Sequence, residues 1–197
     1  MKTFRFFAYA SFCIAVFYGC NSGDVSGYKQ PDIPWESRFH NFDSALVHKD
    51  IARSLQVVDD TSWTIPNKLA LLPLLEDLWW SGGYLVYLSE VIADLPLLKV
   101  TYVGGNKITR IAPGIRNARR LEDLDLSNNY LTVLPDEICD MPSLKNLDLF
   151  CNYISVLPDS IGKLRTLEAL DIRANPISVS EIQRIKAQLP HVTIRHD

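Results

Sequence analysis

A motif that returns every 23 positions limits what this chain can become. From Leu121 the sequence reads LEDLDLSNNYLTVLPDEICDMPS, from Leu144 LKNLDLFCNYISVLPDSIGKLRT, and from Leu167 LEALDIRANPISVSEIQRIKAQL. Leu124, Leu147 and Leu170 fall 23 apart, as do Asn129, Asn152 and Asn175. The frame runs backwards through Leu98, Val103, Asn106, Ile108 and Ile111. One copy earlier it holds Leu75, Leu78, Trp80, Leu85, Leu88, Ile92 and Pro96, with Gly83 in the asparagine place. The earliest copy holds Ala52, Leu55, Val57, Ile65, Leu69 and Leu72, with Asp60 in that place. Six units thus run from Ala52 to Leu189. One unit has a single apolar side and cannot bury it alone. Stacking supplies the core, and the chain becomes a pile of coils with one shared interior.

Each position in the unit has a physical reason. The LxL stretch alternates inward and outward, so it is a strand with one buried face. The asparagine follows where the chain turns away. Its amide both donates and accepts, and so can pair backbone groups of the neighbouring coil that burial would orphan. Asn106, Asn129, Asn152 and Asn175 should form a ladder. The LPxxIxxL half returns along the other side as a short helical or extended segment with its apolar residues inward.

The composite pattern LxxLxLxxNxLxxLPxxIxxLxx resembles the leucine-rich-repeat family, in its 23-residue, proline-containing class. The resemblance covers residues 52–189. It implies an α/β repeat solenoid: a horseshoe with a parallel concave β-sheet, six repeats and helical caps at both ends. It also implies protein–protein recognition without catalysis.

The ends of the chain read differently. Lys2 and Arg5 precede an apolar run from Phe6 to Phe17, broken only by Ser11. Such a run is too short for a bilayer, which needs roughly 20 residues, and suits a secretory signal. Phe17-Tyr18-Gly19-Cys20 resembles a bacterial lipobox, in which Cys20 is acylated and becomes the mature N-terminus. A plain cleaved signal and an uncleaved anchor are the other readings. Residues 21–30 are Ser/Gly-rich and nearly free of apolar side chains, as a flexible tether should be. The organisation read from sequence is a signal peptide at 1–19, a lipidated tether at 20–40 and an N-terminal cap at 41–51. The repeat domain spans 52–189, and an edge strand and tail 190–197. The protein should be exported and held to a membrane, at the periplasmic face or the cell surface. Within the cap, Asp43 to Lys49 reads as a short helix started by Asp43 or Ser44. At the far end Ser178 and Glu181 form a capping box before Ile182, Ile185 and Leu189. Pro190 stops that helix, and Val192 to Ile194 can add an edge strand.

Side chains between the buried leucines face out of the sheet. The residue inside each LxL gives Trp79, Tyr102, Asp125, Asp148 and Asp171. Two places earlier lie Asp77 and Asp123; two places later lie Phe150 and Arg173. Asp125, Asp148 and Asp171 should form a row of carboxylates on strands about 4.8 Å apart. That row is either a site for a basic peptide, a cation or a sugar, or a feature of the architecture. Trp79 and Tyr102 should stack beside Gly82, Gly104 and Gly105. They are either a partner anchor or sugar platform, or they pack against the arm that carries Trp35 and Phe39. Tyr84, Tyr130 and Tyr153 follow the asparagine place and should line one edge. Trp80 takes a leucine place and should be core.

Several function classes are disfavoured. With 47% hydrophobic and 22% charged residues the chain is not of disordered composition. Its formal charge of −3, or −5 without the leader's Lys2 and Arg5, leaves no footprint for nucleic acid or anionic headgroups. The four histidines are scattered, and no cysteine spacing suits a metal. Cys139 and Cys151 should lie on different sides of the solenoid and remain free thiols. No nucleophile with a base, phosphate loop or acid pair stands out. The expectation is a binding protein without cofactor or metal, displaying a concave surface to a protein partner. A cell-surface glycan is the alternative ligand.

Overall fold

The computed structural model describes residues 34–58 and 60–197. The leader, Cys20 and the greater part of the tether lie outside the described residues, as does the side chain of Trp35. The described residues fall within one compact unit, which holds the whole repeat domain. Ten strands occur among them: β1 (Arg38–Phe39), β2 (Ser54–Val57), β3 (Asp77–Trp80), β4 (Tyr87–Leu88), β5 (Val100–Tyr102), β6 (Arg110–Ile111), β7 (Asp123–Asp125), β8 (Asn146–Asp148), β9 (Ala169–Asp171) and β10 (Thr193–Arg195). Eight of them form one sheet in the order β1-β2-β3-β5-β7-β8-β9-β10. Every pairing in it is parallel. β4 and β6 make a separate parallel pair on another side of the coils.

The register decides the fold. Leu124 is opposite Leu147, and Leu147 opposite Leu170. A residue and its copy 23 later are therefore lateral neighbours, and the repeat stacks without slip. All three leucines are buried, as are Leu121, Leu144 and Leu167. One continuous core runs from Ala45 to Leu189. Trp80 fills a leucine place there, fully buried.

Between sheet strands the chain returns through short 3-10 helices: Asn67–Leu71, Glu90–Asp94, Pro113–Asn117, Asp136–Asp140 and Asp159–Lys163. Pro66, Pro135 and Pro158 precede three of them, the first two in extended conformation. Proline fixes φ and removes an N–H that would go unpaired at a helix start. Each helix buries its middle residue, such as Ile115, Ile138 or Ile161, and two of them bury a neighbour as well.

The asparagine ladder closes the turns. Asn129 Oδ1 accepts from the Ile108 N–H at 2.9 Å, while its amide donates to the carbonyls of Val103, Leu126 and Ser127, each at 3.0 Å. Asn106, Asn152 and Asn175 repeat the pattern, each reaching one coil back. The residue just before each asparagine is left-handed: Gly105 (φ 68°), Asn128, Cys151 and Ala174 (φ 53° each).

Two α-helices flank the coils. α1 spans Phe42–Val47, one residue earlier than the expected helix. Neither Asp43 nor Ser44 caps it: Asn41 does, its Oδ1 accepting from the Ser44 N–H at 2.7 Å. Only from position 41 can a side-chain oxygen reach the amide three residues on. α2 spans Val179–Gln188 and starts at Ser178, whose hydroxyl accepts from the Glu181 N–H at 3.2 Å. The reciprocal half of the expected capping box is absent. The buried Glu181 carboxylate instead accepts the Leu157 N–H at 2.9 Å and binds Arg184 at 2.6 Å. Residues 38–39, expected in the tether, pair with β2 as the first strand of the sheet. β10 adds the last, slightly beyond the expected Val192–Ile194.

Candidate functional site

Alternation along the strands gives the sheet one face toward the core and one open face. On the open face Trp79 lies opposite Tyr102, Tyr102 opposite Asp125, then Asp148 and Asp171 in turn. The rings of Trp79 and Tyr102 stack, centroids 4.0 Å apart and planes 23° from parallel. Both remain half-buried. Phe39 does not cover them as an aromatic partner: it stacks on His48 at 5.6 Å and packs against the core.

The carboxylate row forms as expected, and each member has a local job. The first oxygen of Asp125, Asp148 and Asp171 accepts the N–H two residues on, from Ser127 (2.8 Å), Phe150 (2.8 Å) and Arg173 (3.1 Å). These bonds turn the chain out of the strand. Gly104 makes room for one of them. A Cβ there would meet the Asp125 carboxylate at 3.1 and 3.2 Å and the Ser127 hydroxyl at 2.9 Å.

The electrostatics of the row are unfavourable. Burial pushes the Asp125 carboxyl above the ordinary carboxylate range. Asp148 is pushed up to about 7, by burial first and then by the charges of Asp125 and Asp171 beside it. Burial also raises Asp123, against the hydrogen bond it accepts from the Asn146 amide. A like charge nearby and a low-dielectric setting both favour the protonated form.

Not every predicted face residue is free to meet a partner. Asp77 is only 3% exposed, so it is no contact residue. One of its oxygens accepts from the Ser54 hydroxyl at 3.2 Å, and the Trp79 side chain and the Arg38 charge also favour its ionised form. Burial raises it to about 6. Asp171 is also buried and is already matched. Arg173 binds it through Nε and Nη2, at 2.6 Å for the shortest bond, and Arg195 approaches to 3.8 Å. Arg173 also lies over the Phe150 ring, 5.4 Å from its centroid. The accessible part of the predicted set is thus Trp79, Tyr102, Asp123, Asp125, Asp148 and Phe150, with Arg173 engaged along one side.

Cys139 is buried, with a free thiol, and Cys151 is half-exposed. Burial pushes the Cys139 thiol up, which keeps it unreactive.

Two periodic features escaped the sequence reading. Immediately before the strands, Arg53, Glu76, Lys99, Glu122, Lys145 and Glu168 recur every 23 residues with alternating sign. Glu76 bridges Arg53 (2.5 Å) and Lys99 (2.8 Å), and Glu122 meets Lys145 at 2.7 Å. The second row is Val133, Val156 and Val179, exposed and again 23 apart. It accompanies the tyrosines that the sequence placed along one edge, where Tyr130 and Tyr153 stack at 5.9 Å, Lys107 covers Tyr84 and Arg110 covers Tyr87. The spacing that revealed the leucines would have revealed both rows.

A family model described as leucine rich repeat matches residues 119–177. Among solved structures, a leucine-rich repeat protein of Leptospira interrogans aligns at 31% identity and TM-score 0.69, over 80% of this chain and 40% of its own. The fold is that of a leucine-rich repeat protein. Two more distant neighbours share the architecture. The plant peptide hormone receptor RGFR1, solved in complex with RGF2, aligns at 21% identity and TM-score 0.59 over 81% of this chain and 27% of its own. An internalin of Listeria monocytogenes aligns at 18% identity and TM-score 0.57 over 83% and 54%. The chain therefore spans little more than half of these proteins at most. The comparison with curated proteins finds no match. The leucine-rich repeat fold is in general an interaction fold.

Proposed function

We propose that this leucine-rich repeat protein is a non-enzymatic interaction module, exported and anchored by a lipid on Cys20, that presents the open, concave face of its sheet to a protein partner. In this reading six 23-residue coils of the proline-containing class form a horseshoe, with α1 and α2 covering the two ends of the core. The observation that carries it is the Trp79–Tyr102 stack. Two large aromatic rings lie half-exposed on a sheet whose register leaves them little freedom. A rigid platform loses little entropy on binding, and aromatic anchors carry much of the energy in protein interfaces. The receptor–peptide complex among the structural neighbours supports a protein ligand.

Cross-linking of the full chain in its native envelope, with the cross-linked peptides mapped, tests this. Contacts on β3, β5 and β7 that disappear in a Trp79→Ala/Tyr102→Ala variant are expected. Cross-links confined to the 3-10 side refute the assignment of the face. Mass spectrometry of the native N-terminus tests the anchor: an acylated Cys20 is expected, and a mature chain starting elsewhere removes it. A cell-surface glycan is the second reading, favoured by the half-exposed rings beside carboxylates. A glycan array decides it, and silence across the array ends it.

A further inference from the structure

We propose that the side of the coils carrying β4 and β6 docks on the phospholipid bilayer that holds Cys20, with Trp63, Tyr84, Tyr130, Tyr153 and a row of exposed valines at the headgroup level. The proposal rests on the anchor reading above and adds the surface that meets the membrane.

Three columns of the repeat face outward there. They are the positions of Tyr84, Val86 and Tyr87 and their copies every 23 residues, from the first coil to the last. Neighbouring coils bring them side by side. Thr64 bridges to Tyr87, and Tyr87 pairs with Arg110. The Val86 N–H donates to the Trp63 carbonyl at 2.9 Å, and the Thr109 N–H to the Val86 carbonyl at 3.0 Å. Every position in the three columns is exposed except Tyr87, which is half-buried. The chain has 23 acidic residues, and none of them falls in these columns. Acids resume just beyond, at the starts of the 3-10 helices, with Glu90, Asp136 and Asp159. The net charge of the whole chain conceals this segregation.

Aromatic, aliphatic and basic residues stand where acids are left out. Trp63 is 71% exposed, and Val133, Val156 and Val179 are each more than half exposed. Single exposed apolar residues are ordinary, but a set gathered on one side marks an interaction surface. Tyr130 and Tyr153 stack, with centroids 5.9 Å apart. Lys107 lies over the Tyr84 ring at 5.2 Å and Arg110 over the Tyr87 ring at 5.4 Å.

Two features favour a bilayer as the occupant. The first is chemistry. Tyrosine and tryptophan have an apolar body and a polar tip, and they collect at the boundary between headgroups and acyl chains. Lysine and arginine reach lipid phosphates from there, while their stems and the valines meet the upper acyl chains. Carboxylates would be repelled by the same phosphates. The second feature is reach. Fully extended, the chain from Cys20 to Pro34 spans at most about 50 Å. A lipid on Cys20 therefore keeps the bilayer beside the domain at an effective concentration on the order of millimolar, and a weak face then suffices. β4 and β6 are separate from the eight-stranded sheet, so docking leaves the open face of that sheet to its own partner.

The test uses the full chain in vesicles of equal phosphatidylglycerol and phosphatidylcholine, the latter brominated on its acyl chains. Co-sedimentation reads the anchor. Docking is read as the emission that bromine quenches in the parent and not in Trp63→Phe. That difference is expected in the parent and should be lost in Val133→Asp/Val156→Asp, which should still sediment with the vesicles and keep its circular dichroism. Val47→Asp, at an exposed valine of α1, should leave the quenching unchanged. A chain that sediments while Trp63 escapes quenching keeps its anchor and overturns the docking. Quenching that persists in the double aspartate variant, or that is lost equally in Val47→Asp, overturns it too. If the parent forms a dimer in solution that the double variant does not, the face belongs to a second copy and the bilayer is overturned as its occupant. If mass spectrometry finds Cys20 unacylated, the anchor reading fails, and quenching measured on that same chain decides the face by itself.

Discussion

Replacing Asn129 by alanine removes four hydrogen bonds, but their losses are unequal. Three of the orphaned acceptors keep another donor. The Val103 carbonyl retains the Asn106 amide (3.0 Å), Leu126 retains the Asn152 amide (3.0 Å), and Ser127 retains the Gly105 N–H (2.9 Å). The Ile108 N–H retains nothing, because Asn129 Oδ1 is its sole acceptor among the described residues and the site is buried. A buried unpaired donor costs about 1–3 kcal/mol, and each weakened bond a few tenths to about 1 more. We therefore expect a loss of about 3 kcal/mol, or about 6–12 °C in Tm for a domain of this size. Asn175→Ala, in the last ladder position and half-exposed, should cost about 1 kcal/mol because water reaches the freed groups. Urea unfolding followed by far-UV circular dichroism measures both. Equal costs for the two variants, or a loss at Asn129 under about 1 kcal/mol, would refute the reasoning that pairing the coil-to-coil amide is what the asparagine does.

Thr101 occupies a leucine column, fully buried, with its hydroxyl unpaired. Thr101→Val should raise stability by about 1 kcal/mol in the same urea assay, since a buried hydroxyl without a partner is a net cost. Gly105 and Ala174 hold the same left-handed position in different coils. Gly105→Ala should cost about 1–2 kcal/mol, and Ala174→Gly should be neutral or gain up to about 1 kcal/mol, so the two changes in Tm should differ in sign or clearly in size. Iodoacetamide at pH 7.5, read by peptide mass mapping, should leave Cys139 unmodified in the native protein and modify it once urea unfolds the chain, since its thiol is buried and raised.

The core was legible because a repeat turns a three-dimensional question into a spacing. Leu124, Leu147 and Leu170 had to be neighbours once the 23-residue step was recognised, and the asparagine ladder followed from backbone pairing. What lay outside the repeat was poorly legible. Arg38–Phe39 carries no motif, and only its pairing with β2 makes it a strand. The run Asn41-Phe42-Asp43-Ser44 offers three capping residues, and the reach of one oxygen to the Ser44 amide chooses among them. On the open face, alternation gave the direction of each side chain and not what covers it. Asp77 points the expected way and is nonetheless buried. Asp171 reads as one of three equal carboxylates until Arg195 arrives on β10, an element beyond the last repeat.

The two charge rows of this protein share a spacing and choose oppositely, which bears on why the carboxylates are there. Before the strands, six charges alternate in sign, and five of them pair across coils. Inside the strands, three carboxylates stand side by side. The architecture does not require them, since Gln56, Trp79 and Tyr102 hold the same place in other coils. Asparagine would accept the same N–H two residues on without the charge. Asp148 makes the cost measurable. Its folded carboxyl is raised to about 7 from an ordinary value of 3.8, so the native state binds the extra proton between those limits. This group's contribution to stability is therefore greatest below about pH 4, falls as pH rises to about 7 and stays low above it. Asp148→Asn should be more stable than the parent at pH 8 and no more stable at pH 3.5. The shift sets a ceiling of about 4 kcal/mol, and desolvating the amide brings the expected gain to on the order of 1–2 kcal/mol. Urea midpoints at the two pH values read it directly. A variant that gains stability at pH 8 would mean that the row is kept at a cost to the fold and not for its sake. A variant that loses stability at pH 8 would return the carboxylates to the architecture.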